Sequence, residues 1–237
     1  MTSRRVLLWD GCVNVRDLGG LPTEDGRETR FGSIVRADQI ASLTDEGWRA
    51  LQAYGVRVAV DLRADDEVAD DPPRDVPIRV VHIPVSPREA AVAYEWPSML
   101  EAYLALLTHF RREFAAAVET IGREGEPIVV HCQGGRDRTG LTVALLLRLA
   151  GVASAAIAAD HALSDESWSP FHEEWFAAAP DERERARRRR IVVPAGETMS
   201  RVLAEVELRY GGPRDFLLGG GADPGALESA VGRLREP

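Results

Sequence analysis

Two periods run through the apolar positions of this 237-residue chain. Val56, Val58, Val60 and Leu62 recur at every second position, which is the period of a strand. Ile78 to Ile83, ended by Pro84, and Ile128-Val129-Val130 read as further strands, and Ser33 to Arg36 as a short one. At helical spacing, Leu100, Tyr103, Leu104, Leu107, Phe114, Val118 and Ile121 predict one long helix from about Ser98 to Gly122. Thr44 caps a helix through Tyr54, with Gly55 as its stop signal. Leu141 to Leu149 is apolar nearly all round and predicts a helix buried against the sheet. Beyond Gly151 the pattern is helical and rich in charge. Ser154 to Leu163 reads as one helix and Glu197 to Tyr210 as another, followed by a Gly-rich tail of short helical pieces. Strands alternating with helices predict an α/β domain: a mainly parallel central sheet of about four to five strands, flanked by helices, with a helical C-terminal part. No boundary divides residues 1–237, which read as one domain. Segments within 86–122 and 165–190 are candidate helical lid elements.

Composition narrows the classes. A net charge of -9 argues against broad nucleic-acid binding, which needs a basic surface. Two cysteines, Cys12 and Cys132, cannot build a disulfide framework, so a reducing, cytoplasmic setting is expected; unconventional export would leave no mark. No stretch approaches the ~20 apolar residues of a membrane span. The five histidines lack metal-ligand spacing, and no cofactor motif is found.

The chemistry concentrates in His131-Cys132-Gln133-Gly134-Gly135-Arg136-Asp137-Arg138-Thr139-Gly140. An apolar strand precedes this run and an apolar helix follows it. A loop in that position turns backbone N–H groups toward one spot at a helix N-terminus, which makes an anion site. Here the anion site holds a thiol, and such surroundings favour the thiolate. Arg138 suits two phosphate oxygens at once. Gly134 and Gly135 let amides turn inward, and the Thr139 hydroxyl is placed to bond the thiolate. His131 reads as ordering the loop. Attack on phosphorus also requires a general acid for the leaving group. Asp137 is one candidate and Asp61, at the end of a strand, is another; Asp65, Asp66, Glu89 and Glu95 are weaker ones.

The decapeptide resembles the signature of cysteine-dependent protein tyrosine phosphatases, in particular the bacterial PtpB-like group of tyrosine and phosphoinositide phosphatases. Asn14-Val15-Arg16-Asp17-Leu18-Gly19-Gly20 is similar to the group's N-terminal motif, with Val15 in place of Phe. Arg36-Ala37-Asp38, Leu43-Thr44, Val60-Asp61-Leu62-Arg63 and Asp160-His161-Ala162-Leu163-Ser164 follow in the expected order. The resemblance implies Cys132 as nucleophile, Arg138 as phosphate ligand and Asp137 as general acid, with Gln133, Gly134, Gly135, Arg136 and Thr139 around the phosphate. Some members carry a further aspartate just after the strand equivalent to 78–83, where this chain reads Pro84-Val85-Ser86-Pro87. That departure favours Asp137 and leaves Asp61 as the fallback. Arg136 stands where the group often has Lys, a cation associated with phosphoinositide hydrolysis, so phosphoinositide or phosphoserine/threonine substrates stay open beside phosphotyrosine proteins.

Blander readings stand beside these. Asn14 to Gly20 reads as a loop-shaping motif in which Asp17 anchors an arginine, and Asp61 as a partner of Arg63 or Arg16. Cys12 reads as a small core residue, or as a redox partner of Cys132. Trp96, Met99 and Tyr103 line a lid or belong to the core. As whole-protein alternatives, the same loop serves a non-catalytic phospho-ligand module or an arsenate reductase-like thiol enzyme.

Overall fold

The computed structural model describes residues 4–72, 78–85, 97–192 and 195–235. Within them, five strands form one sheet: β1 (Arg16–Asp17), β2 (Ile34–Ala37), β3 (Val58–Asp61), β4 (Arg79–His82) and β5 (Ile128–His131), in the order β1-β2-β5-β3-β4. Only the β1–β2 pair is antiparallel. Every residue of β2, β3 and β5 is buried, as expected of central strands covered on both faces.

Alternation along the strands divides the core. Ile34, Val58, Val60, Ile128 and Val130 face a large apolar cluster with Phe114, Val118 and Leu145. Val35, Ala59 and Val129 face a smaller one with Trp9, Trp48 and Leu51. The strand register aligns Val60 with Val130 and Asp61 with His131, so β3 and β5 end together. Cys132 therefore leaves the middle of the sheet at its carboxyl edge, where α/β folds bind ligands.

The helices follow from caps and stripes. Thr44 Oγ1 accepts from Gly47 N and starts α1 (Asp45–Tyr54), which Gly55 ends in a left-handed conformation. After β3 comes the short α2 (Asp65–Asp70). The single long helix expected over Ser98 to Gly122 is two: α3 (Met99–His109) and α4 (Arg111–Arg123), broken at Phe110. The break lets the two halves bury different faces, α3 against α8 (Ala195–Tyr210) and α4 against α9 (Pro213–Gly219) and α10 (Pro224–Arg235). α5 (Asp137–Leu149) follows the cysteine loop and is buried along most of its length. The next helix, expected to stop at Leu163, continues to Ala177 as α6 (Ser154–Ala177), with Pro170 inside it. Proline removes one backbone donor, and near it α6 changes surroundings. Ile157, Asp160, His161 and Ser164 are buried before it, while Phe171 and Trp175 are partly exposed beyond it. α7 (Glu182–Ile191), α8 (Ala195–Tyr210), α9 (Pro213–Gly219) and α10 (Pro224–Arg235) complete the helical C-terminal part. No helix among the described residues is long and apolar enough to cross a membrane. Glu89, Glu95, Trp96 and the Ser86-Pro87 stretch lie outside the described residues.

Candidate active site

The loop between β5 and α5 is shaped by where its carbonyls go. Gln133 O accepts from Gln39 N at 3.1 Å. Gly134 O accepts from Asn14 Nδ2 at 2.9 Å and from Trp168 Nε1 at 2.8 Å, and Gly135 O accepts from Arg36 Nη2 at 2.8 Å. Three successive carbonyls are thus tied outward to the scaffold. The amides of Gln133, Gly134 and Gly135 meet no protein acceptor among the described residues. A chain whose carbonyls point out presents its N–H groups inward, which is the geometry of an anion nest. Gly135 makes the turn at φ +62, and a Cβ there would lie 2.4 Å from Ala37 O, so the position requires glycine.

Arg36 belongs to a buried ionic hub beneath this loop. Asp160 on α6 takes Arg16 Nε at 3.0 Å, Arg36 Nη1 at 2.8 Å and the Arg5 guanidinium. Arg16 also donates to Asn14 Oδ1, Asp160 O and Ser164 Oγ. Burial works against the Asp160 charge, but the three cations around it hold its carboxyl well below the usual range. Burial and the neighbouring Arg16 bring Arg36 down to about 10. Three guanidinium groups around one carboxylate leave excess positive charge under the loop.

Above it opens a cleft of about 600 Å³ with Cys132 in its lining, together with Gln133, Gly134, Arg136, Asp137 and Arg138. Arg138 is clamped by Glu67 of α2. Its Nη2 donates to Glu67 Oε1 at 2.9 Å, and its Nη1 bonds Oε2. Glu67 Oε2 also accepts from Ala64 N at 2.7 Å, the reach-back of an N3 glutamate. Burial opposes the Arg138 charge, yet Cys132, Glu67 and Asp137 more than offset it and keep the group firmly cationic. Asp137 Oδ1 accepts from the Tyr103 hydroxyl. Arg136 Nε lies 3.0 Å from Asp165 of α6. The far wall is formed by α6, through Trp168, Phe171, His172 and Trp175.

Other expected residues sit elsewhere. Asp61 is not in the cleft lining. It is buried beside a small cavity with Trp48 and His131, and both its oxygens hold Arg63, at 2.8–3.1 Å. The alternation of β3 turns Asp61 toward the face opposite Leu62. Its partner is therefore Arg63, with Arg16 serving Asp160. Among the described residues the Asp17 carboxylate anchors no arginine. That carboxylate accepts from Gly19 N, Gly32 N and the Tyr54 hydroxyl, because the motif folds back on itself there. Thr139 Oγ1 is buried without a hydrogen-bond partner, so the expected bond to the thiolate is not formed. The Cys12 thiol donates to Gln39 O at 3.4 Å, and burial, then Asp38, push its pKa up strongly; such a thiol is a poor redox partner.

His131 and His161 are both about 1% exposed, and burial lowers the pKa of each, His161 with further help from Arg36 and Arg136. A histidine depressed in the folded state contributes stability that is complete above its unfolded pKa, near 6.5, and is lost as pH falls below it. Each contributes up to about 1.4 kcal/mol per pH unit. Urea unfolding at pH 5.5 should therefore show less stability than at pH 7.5, by at most about 3 kcal/mol. Equal midpoints would mean that the two rings are solvated.

Sequence reading does not single out Glu67, and it places Tyr103 only as a lid or core residue and Asp165 and Trp168 only within a lid segment. Glu67 carried one signal, the N3 position of a short helix opened by Ala64, whereas nothing local in the sequence ties the other three to the cysteine loop.

A cysteine and an arginine in an outward-tied anion loop, at the carboxyl edge of a parallel sheet, define a cysteine-based phosphatase site. The chain belongs to the tyrosine phosphatase family, whose model matches residues 7–236. It is 30% identical over 183 residues to a Cupriavidus necator protein assigned by name to the tyrosine-protein phosphatases, covering 72% of this chain and 67% of that protein. A tyrosine-protein phosphatase of Nostoc commune is 35% identical over 141 residues, 56% of this chain and 48% of its own length, so that match spans about half of the relative. The triple specificity protein phosphatase PtpB of Mycobacterium tuberculosis is 28% identical over 192 residues, 66% of this chain and 68% of that one. A crystal structure of Pseudomonas aeruginosa TpbA aligns over 86% of this chain and 98% of its own at 17% identity. The TM-score is 0.39.

Proposed function

We propose that residues 1–237 act as a single catalytic unit that hydrolyses phosphotyrosine by way of a cysteinyl-phosphate. The observation that carries this reading is the loop whose three successive carbonyls, of Gln133, Gly134 and Gly135, are bound outward while Cys132 and Arg138 share one cleft. The Cys132 thiolate attacks phosphorus and forms an S–P bond as the P–O bond to the tyrosine breaks. The electron pair of that bond leaves on the phenolic oxygen, which takes the proton of Asp137. Water then attacks phosphorus and gives a proton back to Asp137; the S–P bond breaks, returning the thiolate and inorganic phosphate. Inward amides and Arg138 hold the three equatorial oxygens, and the amides and cations are in place before charge develops. Glu67 keeps the Arg138 guanidinium in one orientation, which limits the reorganisation needed on binding.

An aryl phosphate suits the cleft because its α6 wall is aromatic, with Trp168 bonded to the loop and Phe171 and Trp175 beside it. These residues belong to the 165–190 segment, which we read as the lid element. In the same reading Arg136, paired with Asp165, orders the loop at the cleft rim, and phosphoinositides are secondary substrates. The burial of Asp61 against Arg63 supports a structural part for it, and not that of acid or ligand. The test is a panel of phosphotyrosyl peptide, phosphoserine and phosphoinositide with wild type and Phe171→Ala. We expect phosphotyrosyl peptide to be preferred, and KM for it to rise about 10-fold in the variant with kcat little changed. Preference for a phosphoinositide, or an unchanged KM, would overturn the aryl assignment.

A further inference from the structure

Tyr103 is about 1% exposed on α3, and it buries a hydroxyl where phenylalanine would fill the same space. That hydroxyl is directed at Asp137 Oδ1, and Asp137 lines the cleft. On its other side, Tyr103 Oη lies 3.4 Å from His161 Nε2 of α6. The two rings meet edge to face, at 6.0 Å between centroids and 78° between planes. Room for the imidazole is made by Gly140 of α5: a Cβ at that position would lie 2.4 Å from His161 Cε1 and 2.5 Å from Nδ1. Three helices thus converge to hold one hydroxyl against one carboxyl group.

The protons of this arrangement are determined by valence. The Tyr103 O–H is committed to Asp137, so a contact from His161 Nε2 to the phenolic oxygen is a donation. Burial, with Arg36 and Arg136 nearby, keeps the ring neutral, so Nδ1 carries no proton. Nδ1 is the ring atom left without a partner. The chain then runs His161 Nε2–H to Tyr103 Oη–H to Asp137 Oδ1. With Oδ1 engaged as an acceptor, a protonated Asp137 carries its proton on Oδ2. Arg136 and Asp165 are the charged groups that also face Tyr103 and Asp137.

We infer that Tyr103, steadied by His161, is the positioning residue for the acid: it fixes the Asp137 carboxyl so that Oδ2 presents the proton to the leaving group. The inference rests on the assignment of Asp137 as general acid, and the experiment separates the two. Wild type, Tyr103→Phe, Asp137→Asn and the double variant are compared on phenyl phosphate, a poor leaving group, and 2,4-dinitrophenyl phosphate, a good one. A poor leaving group needs the proton and a good one does not. Tyr103→Phe is expected to lower kcat on phenyl phosphate about 10-fold, with KM unchanged and the dinitrophenyl ester within about twofold. Asp137→Asn is expected to lose about 100-fold or more on phenyl phosphate alone, and the double variant to be no slower than Asp137→Asn.

Each contrary result has its own meaning. Equal loss on both esters in Tyr103→Phe, with Asp137→Asn still selective, would make Tyr103 a structural residue and overturn the inference. So would full activity of Tyr103→Phe, or losses that multiply in the double variant. An Asp137→Asn variant indifferent to the leaving group would overturn the acid assignment itself, and the positioning role with it. Loss of fold in Tyr103→Phe is detected independently by its thermal midpoint. In that case Gly140→Ala, which displaces His161 and keeps the phenol, is read on the same two esters and should show the same selectivity at smaller size.

Discussion

Cys132→Ser is expected to lower kcat toward an aryl phosphate by about 10⁴-fold or more while leaving substrate affinity within a few fold. A serine hydroxyl in the same place stays protonated near neutral pH. His131, the nearest histidine in sequence, has its ring on the other side of β5, with Nε2 3.8 Å from Asp61 and beyond hydrogen-bond reach. The amides, Arg138 and the aromatic wall do not depend on the sulfur, so binding survives. Steady-state kinetics on p-nitrophenyl phosphate, with inhibition of wild type by vanadate as an affinity reference, gives both numbers. Turnover within tenfold of wild type would sink the cysteinyl-phosphate route. An 18O label from water appearing in the phosphate formed by wild type, with phosphate trapped on Cys132 after acid quench, would identify the intermediate directly.

The second large effect is on stability. Asp160→Ala removes the one carboxylate that Arg5, Arg16 and Arg36 share. Removing one partner of a buried ion pair costs about 3–5 kcal/mol, because the remaining charge stays in a poorly solvated site. For a chain of this length that is roughly a 10 °C fall in thermal midpoint. Asp160→Asn keeps the shape and some hydrogen bonding, and should lie between the two. A midpoint for Asp160→Ala within 2 °C of wild type would mean that water reaches the hub and carries the charges. Activity should suffer as well, since Arg36 holds Gly135 O and with it the turn of the loop.

Much of the fold could be read from periodicity alone. β3 and β5 were recognisable because they are central, and central strands are apolar throughout, as Val58 to Val60 and Ile128 to Val130 are. The loop was recognisable because its chemistry is contiguous: Cys132, Arg138 and both glycines lie within seven positions. Failures had physical causes. Leu107 and Phe114 keep helical phase across Phe110, so the break between α3 and α4 leaves no trace in the pattern; it is imposed by different packing partners on each side. Residues 165–177 read as part of a separate lid segment and not as the continuation of α6, because their apolar residues face an open cleft instead of a core. Tyr103 reads as a lid or core residue and Trp168 only as part of a lid segment, since what matters is the atom each aims at the loop, and that depends on tertiary packing. Asp160 takes the part expected of Asp17 for the same reason: an arginine's partner is chosen in space, and the partner of Arg16 lies 144 residues away.

That separation has a consequence for how the protein comes into being. Arg5, Arg16 and Arg36 are made early, the cysteine loop in the middle and Asp160 later. A growing chain that has emerged only as far as α5 owns the complete signature but has three arginines converging on a space with no counter-charge. Closing contacts of such sequence separation is slow and comes late in folding. The thiol therefore stays in an unfinished cradle through much of synthesis, and the catalytic loop acquires its final form only when α6 docks. Fragments ending before Asp160, however complete their motif, should emerge as loosely packed chains with little phosphatase activity.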